Sequence, residues 1–355
     1  MPTPHYDLNR VLSGSLTKGI PEKSMCLLVG PEASFKSSFI CLSMANAQSM
    51  GYTPVIIDTE GAWTDEFVTR WGLDPDNMLY IYAPFVDEVT TTLGQLMDEG
   101  EKFIIGLDSV GNLETEKLQD DITKTKKGDD GEVVGSSGDG RAKADQGQLQ
   151  KKIKRMVKIM LAICKKQNSI ALMAGHYYGS PNSYGSAEEV GGGKHVKLAP
   201  HIILSLKKAS MTELKKANLA QGSGSDMKVL GTQIKAITLK NRFYPAFQEC
   251  NINIDYTRGV NKYSGLDKIA IDAGLIERSG VWYSNTVTGE KVQGAGNIYQ
   301  LIDDQLLEKL DEYVKETGYS SVNKEMEQTL KEADEVIEED NLEEEQDVTE
   351  DDTNE

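Results

Sequence analysis

The chain has 355 residues and a formal net charge of −18, a length suited to two domains or one enlarged domain at roughly 150 residues each. A hydrophobic fraction of 39% with 33 glycines fits a globular α/β core rich in turns; no run approaches the ~18 apolar residues of a membrane span, and the N-terminal MPTPHYDLNR lacks the apolar segment of a secretory signal. The composition therefore predicts a cytoplasmic protein with no membrane partner, and the acidity at face value argues against a nucleic-acid surface, which is usually basic.

In chain order, MCLLVG at 25–30 is a short continuous apolar run, the pattern of a buried parallel strand. Residues 36–50 have helical spacing, PVIID at 54–58 and residues 79–83 read as strands, and 86–100 reads as a helix. FIIGLD at 103–108 is a strand ending in a carboxylate. Residues 113–146 are polar and rich in Gly, Asp and Lys. Next, Leu149, Ile153, Met156, Met160 and Ile163 stand three to four or so apart, the stripe of a helix over 148–166 packed on a sheet. Lys151, Lys152, Lys154 and Arg155 form its solvated face.

Residues 169–174 and 201–206 read as further strands, separated by a Gly-rich stretch at 177–196. Structureless loops as long as this one and 113–146 are uncommon unless functional or disordered. After Gln233, QIKAITLKN and QECNINIDY alternate like half-buried strands, and 263–311, with its hairpin-like VWYSNTVTGEKV, reads as a small C-terminal module. The βαβ alternation predicts an α/β fold with a mostly parallel sheet and right-handed crossovers. Ligands on such sheets bind at the carboxyl ends of the strands.

The charge is unevenly placed. Residues 331–355 hold one Lys against 14 Asp or Glu, a net of −13, which leaves −5 for the other 330 residues. So dense a run of like charge cannot bury enough surface to fold alone, although its approach, 322–339, has helical character. Two readings stay open: a solubility tail, or an electrostatic competitor for a basic surface elsewhere on the chain. Cys26, Cys41, Cys164 and Cys250 form no CxxC pair and sit in apolar contexts, so they are expected to be reduced core residues.

The segment Gly30-Pro31-Glu32-Ala33-Ser34-Phe35-Lys36-Ser37-Ser38 follows a predicted strand and opens a predicted helix. Successive backbone N–H groups and a helix N-terminus there can surround phosphate oxygens. Lys36 would neutralise the β- and γ-phosphates, and the Ser37 hydroxyl would coordinate Mg²⁺. The usual pattern places Gly before the Lys, and here that residue is Phe35. Asp108 ends an apolar strand, where a carboxylate can hold Mg²⁺ through water. Glu60 follows PVIIDT at the same sheet edge, where it could orient or deprotonate an attacking water.

On these residues the chain resembles the RecA recombinases, and most closely their phage-encoded UvsX type. The matching blocks are LNRVLSGSLTKGIP, GPEASFKSS, VIIDTEGAWTDEF, FIIGLDSVGNL, GGGKHVKLAPHIILSL and LKNRFYPAFQECNINIDYTRGVNKYSGLDKIAIDAGLIERSGVWYS, spread over residues 8–310. UvsX-type proteins also carry Phe before the phosphate-loop Lys, and they also end in acidic tails. The resemblance implies an ATP- and Mg²⁺-dependent enzyme that coats single-stranded DNA as a helical filament, pairs it with homologous duplex DNA and exchanges strands. Single-strand-binding and mediator proteins are implied as further partners. It implies a RecA-like core over 1–260 with DNA-binding loops at about 113–145 and 177–198, a small module over 261–320, and a largely disordered acidic tail over 321–355.

The same resemblance gives residues their roles. Lys36, Ser37 and Asp108 match the ATP–Mg²⁺ residues, and Glu60 the catalytic carboxylate. Phe67 matches an aromatic that stacks on adenine. His176 stands where RecA has a Gln that senses the γ-phosphate and UvsX-type proteins have His. Lys240 and Arg242 match two basic residues that reach the ATP of the neighbouring subunit. In the first loop Lys124, Lys126, Lys127, Arg141 and Lys143 would meet DNA phosphates against opposing Asp120, Asp121, Asp129 and Asp130. In the second, Tyr177, Tyr178, Tyr184, Lys194, His195 and Lys197 would stack on and contact a single strand. One departure concerns RecA's N-terminal helix-and-strand arm, which docks on the next subunit: here only residues 1–7 precede the matched core. That favours an alternative, a non-polymerising RecA-fold ATPase acting as a repair accessory or motor.

Overall fold

The apolar run after Pro21 becomes a strand buried on both faces, and the rest of the fold is arranged around it. A computed structural model describes residues 1–97, 100–115, 139–178, 189–190, 194–222 and 226–318, with side chains described at all of these except 139–146, 177, 178, 189, 190 and 194. The first half contains α1 (Tyr6–Ser13), β1 (Ser24–Gly30), α2 (Lys36–Gln48), β2 (Thr53–Asp58), α3 (Asp65–Arg70), β3 (Leu79–Tyr82), α4 (Val86–Leu96) and β4 (Phe103–Asp108). Next come α5 (Asp139–Lys166), β5 (Ile170–Tyr178), β6 (Glu189–Val190), α6 (Lys194–Leu198), β7 (Ile202–Lys208), α7 (Met211–Lys216), β8 (Ala220–Gln221) and β9 (Lys228–Val229). The chain continues through β10 (Gly231–Asn241), β11 (Glu249–Asp255), β12 (Gly259–Val260), α8 (Leu266–Asp272), β13 (Ile276–Ser279), β14 (Trp282–Asn285), β15 (Lys291–Gln293) and α9 (Asp304–Thr317).

The main sheet runs β12-β11-β10-β7-β1-β5-β4-β2-β3, with β6 paired to the end of β5. From β7 to β3 every pairing is parallel, and β10, β11 and β12 continue antiparallel from β7. The expected mostly parallel α/β sheet is therefore present. Side chains of β1 alternate between two cores, Cys26 and Leu28 toward α1 and α2, Met25, Leu27 and Val29 toward α4 and α5. Each such side chain, fully buried, contributes about 1.5–3 kcal/mol. The stripe on α5 buries Ile153, Met156, Met160 and Ile163 against the sheet, while Leu149 is half-buried. On its polar face Lys152 pairs with Asp87 of α4.

Gly106 sets how close α2 comes. A Cβ there would collide with Ile40 and Met44 of the helix and with Ile56 of β2. All four cysteines are buried and unpaired, and burial pushes the thiols of Cys26, Cys41 and Cys164 up to about 12. No helix among the described residues is long and apolar enough to cross a membrane.

A separate apolar cluster lies after β12. Leu266, Ile269, Ile276, Tyr283, Leu306, Leu310 and Val314 pack together, and Leu16 from the N-terminal segment joins them. Asp311 locks that junction by accepting from Ser15 Oγ at 2.8 Å, Leu16 N–H at 2.6 Å and Thr17 Oγ1 at 3.1 Å. Burial pushes its carboxyl up, but the bonds from Lys315, Ser15, Leu16 and Thr17 prevail and hold it below the ordinary range.

Three expectations need revision. The helix read at 148–166 starts at Asp139, so Arg141 and Lys143 stand on its first turns rather than in a loop. Ala142, Ala144 and Gln146 are good helix formers and no proline intervenes. The stretch read as a loop at 177–198 is partly regular: β5 runs through Tyr178 and pairs antiparallel with β6, and Lys194, His195 and Lys197 stand on α6. The helix read at 86–100 ends at Leu96. Lys124, Lys126, Lys127, Tyr184, the helical approach at 322–339 and the acidic tail lie outside the described residues.

Candidate active site

β1 ends at Gly30 and α2 begins at Lys36, so the intervening turn opens at the carboxyl edge of the parallel strands. Gly30 is required by crowding: a Cβ would collide with the Leu206 carbonyl of β7. The turn is bent through the left-handed region at Ala33 (φ 53°) and Phe35 (φ 77°), conformations that cost a non-glycine residue about 1–2 kcal/mol each. Phe35 offsets part of that cost by packing its ring edge-on to Trp71, centroids 5.3 Å apart. No side chain caps the N-terminus of α2, so its first-turn N–H groups are available to an anion.

Lys36 is buried, and its Nζ donates to Gly30 O at 3.0 Å, Pro31 O at 2.7 Å and Ser34 Oγ at 3.3 Å. Burial pushes this ammonium down, while Asp108, Glu60 and Glu32 pull it back up. Asp108 is buried at the end of β4 and accepts from Trp63 Nε1 at 3.0 Å. Burial pushes its carboxyl up; hydrogen bonds from Ser37 and Trp63 oppose this, and the nearby Glu60 and Asp58 carboxylates reinforce it. The peptide Asp108–Ser109 is cis.

Behind the site, Asp58 shapes the turn that carries Glu60. Its Oδ1 accepts from the N–H groups of Glu60 and Gly61 at 2.9 Å each, and its Oδ2 from Trp63 N–H at 3.0 Å and Tyr80 Oη at 3.1 Å. Glu60 Oε1 accepts from Ser109 Oγ at 3.0 Å and Asn112 Nδ2 at 2.7 Å, and lies 3.7 Å from His176 Nε2. His176 is in register with Gly30 across the β1–β5 pairing, which brings the end of β5 beside the turn.

These groups line one cleft of about 1140 Å³, bounded by residues 31–38, Glu60, Asp108, Asn112 and His176, and on its far wall by Arg70, Trp71, Lys208 and residues 254–260. A hydroxyl and a carboxylate, Ser37 and Asp108, face it as an all-oxygen pair. That donor set suits Mg²⁺, which takes few protein ligands and completes its shell with phosphates and water. Among the described residues no group of three or more His, Cys, Asp or Glu converges as a metal cluster.

Residues 8–261 match the family of the RecA N-terminal domain. The chain belongs to the RecA family. It is similar to "Protein RecA" of Heliobacterium modesticaldum, 26% identical over 288 residues, which cover 80% of this chain and 74% of the relative. It is also similar to "Protein RecA" of Arthrobacter sp., 26% identical over 305 residues covering 84% and 77%, and to that of Clostridioides difficile, 25% identical over 314 residues covering 88% and 81%. Among solved structures it is similar to the crystal structure of the RadB recombinase, at 16% identity and TM-score 0.45, covering 68% of this chain and 92% of that one.

In this RecA-family chain Lys36, Ser37, Glu60, Asp108 and His176 share the cleft, and other predicted residues stand elsewhere. Phe67 does not line it; the ring is half-buried and meets Trp63 edge-on at 5.3 Å. Lys240 and Arg242 are also absent from its wall. They sit at the far end of β10, where Lys240 Nζ donates to Lys197 O at 3.2 Å and Leu198 O at 2.9 Å, and Arg242 Nη2 to Leu198 O at 3.3 Å. Burial, with Arg242 close by, pushes the Lys240 ammonium down. His195 and Lys197 stand on α6 beside them; the side chains of Arg141, Lys143, Tyr177, Tyr178 and Lys194 lie outside the described residues. Sequence reading missed Arg70, Trp71, Ser109, Asn112 and Tyr256. The only local hint was SVGN, directly after the strand-ending Asp108.

Proposed function

We propose that this chain is an ATP-dependent homologous recombinase that binds single-stranded DNA as a helical filament and catalyses homologous pairing and strand exchange with DNA-dependent ATP hydrolysis. The observation that carries this reading is the convergence of Lys36, Ser37, Glu60, Asp108 and His176 on one cleft in a chain matched to the RecA N-terminal domain. Residues 30–38, with the uncapped start of α2, cradle the phosphates, and Lys36 leaves its carbonyl partners to neutralise them. Ser37 and Asp108 would hold Mg²⁺, which supplies charge neutralisation between phosphate oxygens when bound. Glu60 orients and deprotonates the attacking water. His176, two residues before the end of β5, carries γ-phosphate occupancy into the segment that follows Tyr178. Trp71 and Tyr256, on the far wall, offer aromatic surface to the base, while Phe67 packs edge-on against Trp63.

Lys240 and Arg242 act on the cleft of a second copy, a reading supported by their absence from the residues that line this chain's own cleft. Cations supplied in trans make hydrolysis depend on assembly. Arg141, Lys143, Tyr177, Tyr178, Lys194, His195 and Lys197 contact single-stranded DNA, with stacking worth about 1–3 kcal/mol per base. Phe35 and His176, at positions where UvsX-type proteins carry the same residues, support membership of that branch. The test is electron microscopy of the full chain with single-stranded DNA and a slowly hydrolysed ATP analogue, paired with a strand-exchange assay. Regular helical filaments with exchanged product are expected; discrete rings or monomers that hydrolyse ATP would overturn the filament reading.

A further inference from the structure

Glu60 is half-exposed, its side chain at 38% accessibility, and a Glu in that setting samples several rotamers unless something holds it. Here three groups address one of its oxygens. Asn112 Nδ2 at 2.7 Å, Ser109 Oγ at 3.0 Å and His176 Nε2 at 3.7 Å all approach Oε1. Among the described residues no hydrogen bond reaches Oε2. A carboxylate accepts only, so the Asn112 amide must turn its NH₂ toward it.

The two strong donors come from one rigid piece of chain. Ser109 N–H donates to Thr59 Oγ1 at 2.9 Å, and Thr59 Oγ1 returns a bond to Ser109 O at 3.1 Å. Thr59 is the residue before Glu60, so the donor turn and its acceptor are tied at their bases. The turn Val110–Asn112 is pinned by the fully buried Val110 and the nearly buried Leu113. Beyond it, Glu114 exchanges backbone bonds with Pro84 and Val86. The donors are thus fixed before any ligand arrives, which is what orientation of a reacting group requires.

We infer that Asn112 is a positioning residue: with Ser109 it clamps Oε1 of Glu60 so that Oε2 is presented to the water that attacks the terminal phosphate. The inference rests on the reading of Glu60 as the carboxylate that acts on that water. Asn112 itself touches neither water nor phosphate in this scheme; it sets the rotamer of the residue that does.

The test is steady-state ATP hydrolysis by the full chain at saturating single-stranded DNA, with kcat and KM separated and the thermal midpoint recorded. Asn112→Ala is expected to lower kcat by about 10- to 100-fold, with the KM for ATP within about twofold and an unchanged midpoint. Asn112→Asp, the same size but without a donor, sets two carboxylates against each other and should lower kcat further. Ser109→Ala keeps one donor and should lose less than Asn112→Ala, and the double variant should fall close to Glu60→Gln. Wild-type kcat in Asn112→Ala, or a loss in which KM and midpoint shift together, overturns the clamp. If Glu60→Gln is inactive while Asn112→Ala is not impaired, the clamp alone fails. If Glu60→Gln turns over normally, the reading of Glu60 fails and the clamp with it.

Discussion

Phe35 allows a sharp test of the phosphate turn, because two opposing terms meet at one residue. Its backbone is left-handed (φ 77°, ψ 10°), which costs a residue with a Cβ about 1–2 kcal/mol. Its ring is half-buried and pairs edge-on with Trp71, worth about 0.5–1.5 kcal/mol beyond the area it buries, with another ~1 kcal/mol for half-burial of a Phe side chain. Phe35→Gly relieves the strain but loses ring and rigidity, a net destabilisation of about 0.5–1.5 kcal/mol. Phe35→Ala loses the ring and keeps the strain, about 1.5–2.5 kcal/mol. Alanine should therefore be the less stable of the two by about 1 kcal/mol, the reverse of the usual order of alanine and glycine in a helix. Thermal denaturation of both variants without nucleotide reads this as a midpoint about 2 °C lower for Ala. A Phe35→Ala midpoint equal to or above that of Phe35→Gly would refute the left-handed turn and the strain argued from it.

Other predictions follow from single groups. His5 is buried, bonds Ser264 Oγ at 2.7 Å and caps α1 by accepting from Leu8 N–H at 3.1 Å; burial, with Arg10 nearby, pushes its imidazole down to about 3. The unfolded chain binds a proton there near pH 6.5 and the folded chain does not until about pH 3, so stability is lost as pH drops from about 6.5 toward 3, by about 1.4 kcal/mol per unit. Asp7, whose carboxyl burial pushes up, works in the opposite direction, so the comparison is with His5→Asn, which keeps a cap and should show a shallower acid slope in urea melts. Asp311→Ala strands the Ser15, Leu16 and Thr17 donors and should cost about 2–3 kcal/mol, seen as a lower midpoint for unfolding of the region after β12. Mixing inactive Lys36→Ala with the inactive Lys240→Ala/Arg242→Ala double variant should restore part of the ATP turnover, because the first supplies the cations that the second lacks; no restoration would overturn their action on a second copy's cleft.

The centre of the fold was legible because its strands are buried on both faces and so carry no polar interruptions. The runs at 25–30 and 103–108 show this, and the motif after each sits at the edge that parallel topology dictates. The outer parts were not legible, for opposite reasons. Helix α1 was not legible, because it buries the polar Asp7, Asn9 and Arg10; their partners are each other, Thr3, Leu16 and Glu249, which only tertiary structure brings close. Strand β3 is an edge with Leu79, Tyr80 and Tyr82 exposed, a position in the sheet that its apolar run does not reveal. In the site, Lys36, Ser37 and Glu60 could be found because each follows a strand, and Asp108 because it ends one. Asn112 and Ser109 could not, because their partner Glu60 lies about fifty positions away in sequence and nothing local records the contact. Trp71 was hidden in the same way: its partner Phe35 sits in a turn whose left-handed backbone is invisible in a string of residues.

The central claim is that this cleft hydrolyses ATP in response to single-stranded DNA, and turnover by the full chain with and without that DNA tests it most directly. The account predicts turnover strongly stimulated by single-stranded DNA and abolished by Lys36→Ala. Turnover indifferent to DNA, or wild-type turnover in Lys36→Ala, would contradict it.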